Sequence, residues 1–190
     1  MRLCALLFST AIVTACAAKT YDAPATDDSI QISTPYGFGH GCFVEGALYT
    51  ARHIVNPTPQ LITHASWSDG YGREGFAVVE ALSSFRDLAR LQVVTGKPYL
   101  NHRLSRNPEL RAAGRIVRWF EYTRRPGPNA LRANYRTSRI LREFAGLLVL
   151  EKQPTPGASG TCVFAEDGSV LGLIIWGLPE QVGIVARIHE

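Results

Sequence analysis

Long apolar runs are scarce in this chain. The longest, Leu3 to Val13, is too short to cross a bilayer as a helix, which takes about 20 residues. No stretch repeats apolar residues at helical spacing beyond a turn or two, which excludes coiled coils, helical repeats and bundles. Cysteine is sparse, four in 190 residues. Neither the cysteines nor His40, His53, His64, His102 and His189 fall into a Cys-x-x-Cys or His-Glu-x-x-His spacing, so neither a metal nor another cofactor is expected. Charge of one sign is also lacking: 20 basic against 16 acidic residues leave a net charge of +4, too mild to mark a nucleic-acid binder. What remains is 46% hydrophobic and 19% charged, with 17 Gly and 11 Pro scattered without a period. That balance suits one compact domain, or two small ones sharing a core, built from short elements and many turns.

The N-terminus has the layout of an export signal: Met1-Arg2, the apolar stretch, then Val13-Thr14-Ala15-Cys16. Residues 1–15 are therefore expected to be a signal peptide. The last four resemble the lipobox of bacterial lipoproteins, in which the cysteine is lipidated and becomes the new N-terminus. On that reading Cys16 anchors the protein to a bacterial membrane, at the periplasmic or cell-surface side. The other reading is an ordinary signal peptide cut near Ala17-Ala18. Residues 16–28 are small and polar and suit a tether. Two thiols are left in the mature chain, Cys42 and Cys162. An oxidising compartment permits a disulfide between them, and two separate buried thiols are the alternative.

Strand signals then follow at short spacing: Ser29 to Ser33, two apolar pieces around Glu45-Gly46 within Gly41 to Thr50, Phe76 to Leu82, and Leu88 to Val94. Arg115 to Tyr122, Leu147 to Glu151, Val163 to Phe164, Val170 to Trp176 and Val182 to Ile188 continue the pattern. Turns such as Ser68-Asp69-Gly70 and Glu166-Asp167-Gly168 separate them. The class is all-β, sandwich or barrel.

Three places carry chemistry. His53 follows directly on the apolar run ending Tyr49-Thr50-Ala51-Arg52, Asp87 stands immediately before Leu88-Ala89-Arg90-Leu91, and Ser159 lies in the turn Gly157-Ala158-Ser159-Gly160. Taken singly they read as a strand-end histidine, a turn or cap residue and a loop serine. In the order His, Asp, Ser they supply what hydroxyl attack on an acyl carbon needs: a nucleophile, a base to take its proton, and an acid to orient that base. Glycine beside the serine lets backbone N–H groups face a developing oxyanion, and Gly157 and Ser159 offer those donors. Thr161 stands where a Gly-x-Ser-x-Gly elbow would need glycine, which argues against an α/β-hydrolase.

These segments resemble the chymotrypsin-like serine peptidases, most closely the short bacterial trypsin-like type. Gly41-Cys42-Phe43-Val44 with Tyr49 to His53 is similar to the family's Gly-Ser-Gly-Phe and Thr-Ala-Ala-His. Asp87 to Leu91 is similar to Asp-Leu-Ala-Leu-Leu, Gly157 to Gly160 to Gly-Asp-Ser-Gly, and Asp167 to Gly177 to the strand that ends in Ser-Trp-Gly. The intervals of 34 residues from His53 to Asp87 and 72 from Asp87 to Ser159 keep the family order. The resemblance implies two packed six-stranded antiparallel β-barrels, residues 29–98 and 107–190 joined by a linker at 99–106, with the active site in the cleft between them. It implies a serine endopeptidase acting on a polypeptide substrate, with His53, Asp87 and Ser159 as the triad. The backbone of Ile175, Trp176 and Gly177 would pair with an extended substrate, and a pocket would form near Gln153 to Pro156 with Gly183 on its far wall.

Some residues depart from the family pattern. Ala158 stands where many members keep an aspartate that receives a freed N-terminus, so activation by that ion pair has no acceptor. No acid can be assigned to the pocket base, which leaves its lining neutral. Eleven arginines lie between Arg103 and Arg142, opposed only by Glu109 and Glu121 and interleaved with Trp119, Phe120, Tyr122 and Tyr135. Outward positions on strands account for them. A basic face for an anionic surface, such as lipid head groups, is the other reading. Export leaves nucleic acid out of the expected partners. The rival to an enzyme is a lipid-anchored binding module that keeps the fold without the activity.

Overall fold

The computed structural model describes residues 30–56, 62–83, 85–124, 131–177 and 182–188. The expected signal peptide, Cys16 and the tether lie outside them. Six strands form the first barrel: β1 (Ile30–Thr34), β2 (Gly37–Val44), β3 (Ala47–Ala51), β4 (His64–Asp69), β5 (Glu74–Leu82) and β6 (Leu88–Val93). They run in the order β1-β2-β3-β6-β5-β4 and close where β1 pairs with β4. A single helical turn, α1 (Arg52–Val55), follows β3 directly.

After a 3₁₀ turn at Pro108–Arg111 come β7 (Ile116–Arg124), β8 (Leu131–Phe144), β9 (Leu147–Leu150), β10 (Cys162–Phe164), β11 (Val170–Gly177) and β12 (Gly183–Arg187). Their order is β10-β11-β12-β9-β8-β7, closed by the Phe164 to Arg118 pairing of β10 with β7. Every strand pair in both barrels is antiparallel.

Period-two alternation explains both cores. In the first barrel Ile32, Leu48, Trp67 and Leu91 point inward and are essentially solvent-free. In the second, Trp119, Ile140, Leu148, Leu150, Leu171 and Ile174 do the same. The opposite face of the second barrel's sheet is apolar too: Phe120, Phe164, Leu173, Ile175 and Ala186 join the first barrel's residues in one continuous cluster. The two barrels therefore share a buried seam, and Cys42 and Cys162 in that seam are joined as a disulfide. Five of the eleven arginines in the run are paired with carboxylates. Arg103, Arg106, Arg111, Arg115 and Arg136 pair with Asp167, Glu45, Glu143, Glu166 and Glu121 respectively. Among the described residues no helix is long and apolar enough to cross a membrane.

Candidate active site

His53 and Asp87 are brought together by the start of a helix. The first N–H groups of α1 have no partner within its single turn. Asp87 accepts both: its carbonyl takes the Arg52 N–H at 2.8 Å and its Oδ1 takes the His53 N–H at 2.9 Å. The other carboxylate oxygen, Oδ2, lies 2.6 Å from His53 Nδ1. An ionised carboxylate can only accept, so Nδ1 carries the proton and Nε2 is left as the acceptor. Asp87 reaches this position with φ at +50°, a left-handed conformation that aspartate tolerates better than most residues. Strain of this kind, held by three hydrogen bonds, is typical of functional sites. Arg52 is turned to another partner, donating from Nη1 to the Ser83 carbonyl at 3.1 Å.

Ser159 comes from the second barrel, in the loop between β9 and β10. Its carbonyl accepts the His40 N–H at 2.9 Å, and the His40 carbonyl accepts the Thr50 hydroxyl at 2.6 Å. Thr50 lies three residues before His53 on the same chain end, so two short bonds tie the serine's backbone to the strand that delivers the histidine. Gly160 makes this docking feasible. A Cβ there would lie 1.8 Å from the His40 carbonyl oxygen, and its φ is +87°, so only glycine fits. Cys162, two residues further, is bonded to Cys42, which pairs in register with Tyr49 of β3.

The loop amides divide into two sets. Ala158 N donates to Thr155 O at 3.1 Å and Gly160 N to Ile174 O at 2.7 Å. Among the described residues, the amides of Gly157 and Ser159 have no such partner and are the pair expected to face an oxyanion. Beside them opens a cavity of about 210 Å³, lined by Gln153, Pro154, Thr155, Pro156, Gly157, Ser159, Ile174 and Trp176. Gly183 sits behind this lining, where an added Cβ would meet Pro154 Cδ at 2.7 Å. Ile175 turns its side chain into the shared core, whereas Trp176 is exposed. β10 is three residues long and pairs with β11 over Val170 to Leu173; among the described residues no strand pairs with Ile175 to Gly177 on that side.

Comparison with solved structures gives the same architecture. The astrovirus serine protease, from a human pathogenic virus, superposes with a TM-score of 0.65 at 21% identity, over 85% of this chain and 90% of the other. The chain has the chymotrypsin-like serine protease fold. The Rv3671c protease of M. tuberculosis matches with a TM-score of 0.63 at 19% identity, covering 85% and 83% of the two chains. The serine endoprotease from Yersinia pestis gives 0.67 at 16% identity, with 85% of this chain on 58% of that one. No protein-family model and no curated protein matches the sequence. Among the described residues no three His, Cys, Asp or Glu side chains gather as a metal site.

Sequence reasoning underrated one residue of this serine protease fold. Glu121 is 1% exposed, with Oε1 accepting the Trp119 indole N–H at 3.0 Å and the Thr155 backbone N–H at 2.9 Å. Its position was legible: Val117, Trp119 and Glu121 fall on alternate residues of one strand, so an inward acid follows two inward apolar residues.

Proposed function

We propose that the protein is a serine endopeptidase that cleaves polypeptides through an acyl-enzyme. The observation that carries this reading is the His53–Asp87 pair, with Nδ1 fixed on the carboxylate at 2.6 Å, on the fold whose solved relatives are serine proteases. Ser159 Oγ adds to the scissile carbonyl while His53 Nε2 takes the hydroxyl proton. Asp87 keeps the imidazole in the tautomer that can do so and stabilises the imidazolium that forms. The Gly157 and Ser159 amides stabilise the oxyanion. His53 then returns the proton to the leaving amine, and water repeats the sequence to release the acid. The open edge at Ile175 to Gly177 suits an extended peptide added as a strand, and the cavity beside Ser159 suits an uncharged side chain.

A fluorophosphonate probe tests this. Wild type is expected to label, and Ser159→Ala and His53→Ala are expected not to. A well-folded wild type that does not label would instead indicate a binding module. We propose further that the protein is exported and held at a bacterial membrane by a lipid on Cys16. Growth with radiolabelled palmitate should label wild type and not Cys16→Ser, and an unlabelled wild type refutes the anchor.

A further inference from the structure

A buried carboxylate is costly, several kcal/mol even after relaxation, unless charged and neutral donors surround it. Glu121 has such a shell: besides Trp119 and Thr155, its Oε2 accepts from Arg136 Nε at 2.9 Å. Arg136 itself is half exposed, with 52% of its side chain open to solvent against 2% for Glu121. The pair thus runs from the surface of β8 to the back of the cavity wall.

The wall it meets is unusual in its donors. Pro154 and Pro156 have no N–H and hold φ near −65°, so Thr155 carries the single backbone donor between Gln153 and Gly157. That donor goes to Glu121 at 2.9 Å. The Thr155 carbonyl in turn accepts Ala158 N at 3.1 Å, and Ala158 stands between the two oxyanion-facing amides. A chain of two hydrogen bonds therefore links the buried carboxylate to the peptide units whose orientation acyl transfer requires. Ala158 is itself buried and apolar, so this loop contributes no acid of its own.

We propose that Glu121 is a positioning residue for acyl transfer: its carboxylate fixes Thr155, and through Thr155 the Gly157 and Ser159 amides. The inference rests on the peptidase reading above. Glutamine at 121 has one acceptor oxygen in place of two for the three donors, so the wall loosens while the side-chain volume stays. Arg136, being half exposed, can turn to water.

In the full chain, Glu121→Gln should slow fluorophosphonate labelling per folded molecule by roughly tenfold to a hundredfold. That is less than the 10²–10³ typical when an oxyanion donor is removed outright. Peptide cleavage should lose kcat with little change in KM. Leu171→Ala, a core truncation in the same barrel, serves as the control and should keep its labelling rate per folded molecule. If wild type labels and Glu121→Gln labels equally fast, the positioning role is refuted and the peptidase reading stands. If wild type fails to label, the peptidase reading itself is lost. Should Glu121→Gln not fold, hydrogen exchange on wild type decides: the Thr155 amide should be protected like a core strand amide, and exchange at open-loop rates would overturn the proposal.

Discussion

Removing the Cys42–Cys162 disulfide with paired alanine substitutions should cost a large part of the protein's stability. The cysteines are 120 residues apart, so the cross-link closes a loop containing most of both barrels. Chain-entropy reasoning puts the constraint on the unfolded state at about 5 kcal/mol for a loop of that length. Each barrel closes on its own strand pairs, so the folded state keeps its hydrogen bonds when the bond is absent. The loss should therefore come mainly from the unfolded ensemble, and about 3–5 kcal/mol is expected, a large part of the roughly 5–15 kcal/mol of an ordinary domain. Urea unfolding of wild type and Cys42→Ala/Cys162→Ala measures it through the midpoint. The slope should rise in the variant, since the unfolded chain exposes more surface once the cross-link is gone. A midpoint shift worth under about 1 kcal/mol would refute the reasoning, because it would mean that the seam keeps the barrels together even after unfolding elsewhere.

The remaining predictions concern the site. Asp87→Asn keeps a side chain that tolerates positive φ but allows the wrong imidazole tautomer; labelling should fall on the order of 10⁴-fold with little change in melting temperature, and a drop under tenfold would count against the triad. Gly160→Ala places a Cβ on the His40 carbonyl and should destabilise by about 2–4 kcal/mol, read by thermal unfolding; an unchanged midpoint would contradict the docking described. His40 is buried in the same seam, and that burial lowers its pKa to about 4. Between pH 6.5 and 4 the unfolded state binds a proton that the folded state does not, so stability falls as pH falls through that window. The loss at pH 4.5 relative to pH 7 is about 2–3 kcal/mol from this histidine alone. It is measured as the difference between wild type and His40→Gln, which leaves the carboxylates common to both.

Much of the fold was legible because the barrel strands alternate as strands must when one face is buried. The hairpin at Glu45-Gly46, the β11 run and the His-Asp-Ser order all express local requirements that short windows preserve. β8 escaped notice for a physical reason. Tyr135, Arg136, Thr137 and Arg139 are all exposed, so the two-residue apolar rhythm is missing, and the strand is held instead by its pairing with β7 from Arg139 to Leu131. Its turn into β9 uses Ala145-Gly146, both at positive φ, where Asn-Gly would have announced the hairpin. β4 was hidden likewise, since His64, Ser66 and Ser68 alternate with only Ala65 and Trp67 on the buried side. The disulfide remained open in the sequence because pairing depends on a 5.3 Å approach of two Cα atoms, which no spacing along the chain encodes.

The features that sequence left open are the ones that join the barrels. Local pattern builds each barrel separately, yet the proposed triad needs Ser159 of one and His53 of the other held within a hydrogen bond's tolerance. Three connections tie the Ser159 loop to β2 of the other barrel: the His40 N–H on the Ser159 carbonyl, the close approach of Gly160 to His40, and the Cys42–Cys162 bond. All three fall within residues 40 to 42 of β2 and 159 to 162, from the Ser159 loop to the start of β10. These hydrogen-bonded and covalent links gather beside Ser159, while the apolar cluster shared by both barrels continues along the rest of the seam. A rigid-body shift of one barrel should disturb this point before it disturbs either core, so loss of labelling should precede loss of β-sheet signal when the reduced protein is titrated with urea. Coincident transitions would show that the seam and the barrels unfold as one cooperative unit.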